Sequence, residues 1–175
     1  MIKGGKGGGR TVTGLKFEKR VSLKDVLTKL NGYSVEEDIV YFKKNKIAQL
    51  LPKYSLYNKL LEPKNIKIKE LVSKRLIPDD AILIFSKRTL FIVEIKFQNV
   101  GGSVDEKLQT CDFKKRQYTK LLEPLGIDIE YAYVLSDWFK KLEYKDVLQY
   151  IILVGCHYFF NELPLKFLGL PEPDK

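Results

Sequence analysis

The chain has 175 residues, 45% of them hydrophobic and 30% charged, which suits one domain with a buried core and argues against intrinsic disorder. Lysine and arginine outnumber aspartate and glutamate by 31 to 22, a formal charge of +9 that points to a polyanionic partner such as nucleic acid. Two cysteines, Cys111 and Cys156, are too few for a disulfide framework and lack metal-ligand spacing, and no apolar run is long enough to span a membrane. Both cysteines lie in apolar segments and are expected as buried free thiols, so the expectation is a cytoplasmic protein with no secretory signal.

Residues 1–12 read as a basic, glycine-rich arm of a single domain covering residues 1–175. Lys6 and Arg10 among the glycines suit contact with phosphates, while the plain alternative is a flexible terminus. No strand precedes the arm and the Gly-Lys-Ser/Thr ending is missing, so it is not a P-loop. From Thr13 onward Leu15, Phe17, Val21, Leu23, Val26, Leu27 and Leu30 recur at helical spacing. Ser22 followed by Asp25 can cap a second helix and split that segment, and Asn31-Gly32 ends it. Two short strands follow, Asp38 to Phe42 and Ile47 to Leu51, joined by a lysine-rich turn. A short helix starts at Pro52 and reaches about Leu61.

The centre of the chain reads as a β-hairpin. Asp80 to Phe85 is one arm, Ser86-Lys87-Arg88 the turn, and Thr89 to Phe97 the other arm, rich in β-branched and aromatic residues. Gly101-Gly102 breaks the chain. Ser103 with Glu106 forms a capping box for a helix reaching about Leu122. Ile129 to Leu135 is a further strand, Asp146 to Leu153 a helix, and Cys156 to Phe160 a fourth core strand. Strands alternating with helices predict an α/β protein, a three-layer α/β/α sandwich around a central mixed sheet.

The chemistry concentrates at Pro78-Asp79 and Glu94-Ile95-Lys96. Alternate strand residues share a face, so Glu94 and Lys96 point one way while Val93, Ile95 and Phe97 point the other. A carboxylate and an ammonium on an otherwise apolar strand are expensive to bury singly. Phosphodiester hydrolysis needs an activated water and charge neutralisation at the scissile phosphate, and a hard divalent cation on oxygen ligands supplies both. Asp79, Glu94 and the Ile95 carbonyl can converge on one such ion, with Lys96 orienting water or stabilising the developing oxyanion. The plain alternative is a structural charge pair on a solvated strand. His157, the one histidine, has no second histidine to form a metal cluster and is expected as a satisfied, partly buried side chain. No Ser-His-Asp or Cys-His arrangement competes.

Pro78-Asp79 with Glu94-Ile95-Lys96 resembles the PD-(D/E)XK nuclease superfamily, and within it a type II restriction endonuclease. Gly14-Leu15-Lys16-Phe17-Glu18 and the run from Phe97-Gln98 through Gly102-Ser103-Val104-Asp105-Glu106-Lys107-Leu108-Gln109-Thr110-Cys111 extend the likeness over about Thr13 to Leu135. The resemblance implies a restriction-endonuclease-like fold and hydrolysis of double-stranded DNA with Mg²⁺, for which Mn²⁺ is an expected substitute. It further implies a homodimer, and catalytic roles for Asp79, Glu94 and Lys96. It makes Asp79 the metal ligand directly after Pro78, although a bulge at the strand start would hand that role to Asp80. It offers Glu18, on an early helix, and Gln98, on the face of Glu94 and Lys96, as accessory residues. A junction resolvase shares this core pattern, and a catalytically silent DNA-binding module would carry the same basic charge. Lys114, with Gln109 and Lys115, is a candidate DNA contact or a solvated helix residue.

Overall fold

The computed structural model describes residues 14–17, 21–98 and 104–174. It is a mixed α/β protein whose central sheet has seven strands in the order β2-β3-β4-β5-β6-β7-β8. These are β2 (Tyr33–Glu36), β3 (Ile39–Phe42), β4 (Asn45–Leu50), β5 (Asp80–Ile84), β6 (Thr89–Lys96), β7 (Asp128–Leu135) and β8 (His157–Phe160). Neighbours from β2 to β6 are antiparallel, whereas β6–β7 and β7–β8 are parallel. Parallel pairing demands a crossover. Between β6 and β7 it is made by α3 (Val104–Leu108) and α4 (Cys111–Leu122), and between β7 and β8 by α5 (Lys145–Leu153). Gly126, at φ +60°, reverses the chain after α4 into β7, a conformation that costs glycine little.

The period of two along the hairpin strands divides the core between the faces of the sheet. Ala81, Leu83, Leu90, Ile92, Tyr131 and Tyr133 join Cys111, Tyr118, Leu121 and Leu122 of α4 in one apolar cluster. Ile82, Ile84, Phe91, Val93, Ala132 and Val134 join Leu23, Val26 and Leu27 of α1 (Leu23–Leu27), together with Leu165 and Leu168 of α6 (Leu165–Leu168), in the other. The expected mixed sheet is therefore present, with an apolar cluster and packed helices against each face. The expected buried thiols are also found: Cys111 and Cys156 are free, buried and hydrogen-bonded to each other. No helix among the described residues is long and apolar enough to cross a membrane.

Several local expectations need correction. Gly14–Lys16 is not helical; it is strand β1, paired antiparallel with β9 (Glu162–Pro164). Leu15 and Phe17 are both buried there because two-residue alternation fits an extended chain as well as helical spacing fits a helix. The Phe17 N–H donates to the Asn161 carbonyl at 2.8 Å, continuing that pairing. Among the described residues of that segment, only the portion after Ser22 is helical. Ser22 Oγ accepts from the Asp25 N–H and Asp25 Oδ2 accepts from the Ser22 N–H, the reciprocal box the sequence allowed. The long helix reaching Leu122 is interrupted at Gln109-Thr110, giving α3 and α4. The Ser103 end of its expected capping box, the accessory candidate Glu18, and Lys6 and Arg10 of the basic arm all lie outside the described residues.

Candidate active site

β5 begins at Asp80, paired in register with Val93 of β6, so Asp79 stands at the residue before the strand and opposite the end of β6. Its carboxylate turns toward β6: Asp79 Oδ2 accepts from the Ile95 N–H at 3.2 Å and from Lys96 Nζ at 2.8 Å. Lys96 Nζ donates equally to Glu94 Oε2 at 2.7 Å. One ammonium thus bridges two carboxylates delivered by the two arms of one hairpin.

The three groups differ in exposure. Glu94 is 3% exposed, on the face of the sheet that α4 covers, whereas the Asp79 side chain is 48% exposed at the mouth of the site. A buried carboxylate without partners would cost several kcal/mol, and Glu94 has two: besides Lys96, Lys114 Nζ of α4 lies 3.3 Å from Oε1. Burial alone would depress the Lys96 ammonium, but its pairs with Glu94 and Asp79 outweigh that and hold its pKa above the ordinary lysine value.

Asp80, the alternative ligand, points elsewhere. Alternation sends it to the opposite face, where its Oδ2 accepts from the N–H of Leu23, the first residue of α1, at 3.0 Å. It is 4% exposed, and burial pushes its pKa up to about 6, only partly offset by that hydrogen bond. Asp79, not Asp80, meets Glu94.

A cleft of about 520 Å³ opens beside Asp79 and Lys96 and is lined by Ser22, Lys53, Asp79, Asp80, Ile95, Lys96, Gln98 and Lys107, among others, whereas Glu94 lies behind Lys96 and does not line it. Gln98 follows the end of β6 and does not continue its face as a strand residue. It is anchored by a reciprocal pair with Ser136, whose Oγ accepts from the Gln98 N–H and donates to the Gln98 carbonyl, both at 3.2 Å. The approach to Asp79 is fixed from below. Tyr57 and Tyr118 hydroxyls both donate to the Leu76 carbonyl, at 2.8 and 3.1 Å, three residues before Asp79.

The donor chemistry suits Mg²⁺. Asp79 and Glu94 supply hard carboxylate oxygens. Within a strand residue the N–H and C=O point to the same edge, so the Ile95 carbonyl follows its N–H toward Asp79, just before Asp80, the first residue of β5. Among the described residues no three His, Cys, Asp or Glu side chains gather as a metal cage. Mg²⁺ accepts one or two carboxylates and completes its shell with water and substrate oxygens, so two carboxylates and a carbonyl are a fitting set.

Lys114, named from the sequence as a candidate DNA contact or a solvated helix residue, has its ammonium on Glu94, a pairing the sequence reading does not name, with the side chain 26% exposed. A signal was available. Cys111, Lys114 and Tyr118 recur at three- and four-residue spacing, which places the lysine on the core stripe of its helix. His157 is partly exposed, with Nε2 3.2 Å from Glu130 Oε2, an oxygen that Lys115 Nζ also reaches at 3.2 Å. It lines a separate cleft of about 700 Å³ among residues at the starts of β6 and β7, away from the paired carboxylates. Compared with protein-family models, curated proteins and solved structures, the chain matches none.

Proposed function

We propose that the protein is a Mg²⁺-dependent endonuclease hydrolysing phosphodiester bonds of double-stranded DNA, acting as a type II site-specific restriction enzyme. The observation that carries this reading is the convergence of Asp79 and Glu94 on Lys96 at the mouth of a cleft, in a chain of net charge +9. A three-layer, restriction-endonuclease-like arrangement is supported by the apolar clusters on both faces of the mixed sheet. Asp79, Glu94 and the Ile95 carbonyl would hold the Mg²⁺, which when bound supplies Lewis acidity toward water and the scissile phosphate.

The chain's own groups divide the remaining work. Lys96, held protonated by two carboxylates, can donate to an oxyanion but has no lone pair with which to take a proton from water. It therefore acts as the electrostatic stabiliser of charge growing on the phosphate oxygens, not as general base. Asp79, half exposed at the mouth, orients what enters the cleft, while the buried Glu94 provides a fixed anionic floor. A homodimer would set two such sites about a two-fold axis, matching a palindromic duplex.

The test is incubation of purified protein with supercoiled plasmid, linear duplex DNA and a four-way junction, with Mg²⁺ and with EDTA. Linear fragments with one defined end sequence, formed only with Mg²⁺, are expected. Cleavage confined to the junction would move the protein to the resolvases, and unchanged DNA in every lane would leave a silent DNA-binding module.

A further inference from the structure

We propose that Lys114 is a positioning residue that holds the Oε1 side of Glu94 and, through its charge, sets how tightly a divalent cation binds at the Asp79–Glu94 pair. The inference rests on the metal-nuclease reading above. Glu94 is gripped from two elements: Lys96 of β6 takes Oε2 at 2.7 Å and Lys114 of α4 takes Oε1 at 3.3 Å. The two lysines are not equivalent. Lys96 lines the cleft beside Asp79 and bridges both acids, so it can turn toward the cleft when a cation or phosphate arrives. Lys114, like Glu94, is not among the cleft's lining residues, and among the described residues it pairs with Glu94 alone.

The next turn of its helix is anchored. Tyr118, one turn further along α4, is buried and tied to the Leu76 carbonyl. Withdrawing Lys114 would leave one oxygen of a buried carboxylate unpaired, which is costly. The ammonium therefore stays. Two carboxylates and two ammonium groups cancel in formal charge, so a divalent ion entering this site is held only weakly, by direct ligation to the carboxylate oxygens, until the negative phosphodiester arrives with it. Lys114 would thus make tight metal binding depend on DNA while keeping Glu94 in one orientation.

The experiment measures Mn²⁺ binding without DNA, from the electron paramagnetic resonance of free Mn²⁺, alongside cleavage at saturating Mn²⁺. Wild type is compared with Glu94→Gln, Lys114→Gln, Lys114→Met, Lys114→Arg and Lys115→Gln. Lys114→Gln and Lys114→Met are expected to bind Mn²⁺ roughly tenfold more tightly, the effect of removing one unit charge a few ångströms from a divalent ion under water-like screening. They are also expected to cleave more slowly at saturation, while Lys114→Arg retains wild-type behaviour in both. Lys115→Gln, whose ammonium pairs with Glu130, is expected to match wild type in DNA-free Mn²⁺ binding.

If Glu94→Gln abolishes Mn²⁺ binding but the Lys114 variants stay within twofold of wild type, the role of Lys114 is overturned and the metal site stands. Equal tightening in Lys115→Gln would reduce the effect to net charge and overturn it too. If wild type and Glu94→Gln bind Mn²⁺ alike, the metal-site reading fails and this inference fails with it.

Discussion

Lys96 donates to Asp79 across 2.8 Å, joining residues seventeen apart in the chain at the open end of the β5–β6 hairpin. On the nuclease proposal, the contact gives Lys96 a structural and a catalytic role at once. Replacing it with methionine leaves the buried Glu94 with Lys114 alone and Asp79 without a counter-ion. Breaking such a partly buried pair is expected to cost about 3 kcal/mol of stability. The same variant is expected to lose about a hundredfold or more in cleavage rate through the missing oxyanion donor. Urea unfolding and single-turnover cleavage measure the two effects separately.

Asp79 and Asp80 are adjacent and both line the cleft, yet Asp79 pairs with Lys96 while Asp80 accepts from the Leu23 N–H. Asp79→Asn is expected to abolish metal-dependent cleavage while leaving the thermal transition near wild type, because its side chain is half exposed. Asp80→Asn keeps an oxygen to accept from the Leu23 N–H and is expected to remain active. Activity retained in the first variant and lost in the second would reverse the assignment.

Asp80 also gives a pH dependence whose sign follows from its raised pKa. An acid with a folded pKa of about 6 and an ordinary value of 3.8 binds its proton more tightly in the folded chain. Its ionisation therefore costs nothing below pH 3.8, and the full cost is felt above about 6. A shift of about two units corresponds to ~3 kcal/mol. The stability of Asp80→Asn relative to wild type is expected to rise by up to that amount between pH 4 and pH 7, in metal-free buffer. A flat difference across the range would show that Asp80 titrates normally.

The Leu76 carbonyl accepts from two tyrosines, Tyr57 and Tyr118, and so fixes the chain leading into Asp79. Each hydroxyl is worth about 1 kcal/mol. The single phenylalanine variants are expected to cost about that, and the double variant more than the sum, because the part-buried carbonyl then has neither donor. Denaturant midpoints of the four proteins form a double-mutant cycle that measures the coupling.

What was legible in the sequence was local. Strand alternation and one turn are enough to put Glu94 and Lys96 on one face and to bring the β5 arm alongside, so the paired acids and the lysine could be read from spacing. Spacing places Lys114 on the core stripe of α4 but does not name its partner, because that contact depends on how α4 docks across the sheet. Strand β1 was misread for a related reason: Leu15 and Phe17 satisfy both a helical and an extended pattern, and the deciding partner, β9, lies near the other end of the chain. The choice between Asp79 and Asp80 turned on where β5 starts, a boundary that side-chain pattern alone leaves uncertain by a residue or two.

The most direct measurement compares wild type, Asp79→Asn and Glu94→Gln on supercoiled plasmid across a Mg²⁺ titration, with folding of each checked by circular dichroism. The nuclease account expects Mg²⁺-dependent cleavage by wild type and none by either folded variant. Cleavage by wild type in EDTA, or cleavage by both variants at the wild-type rate, would contradict it.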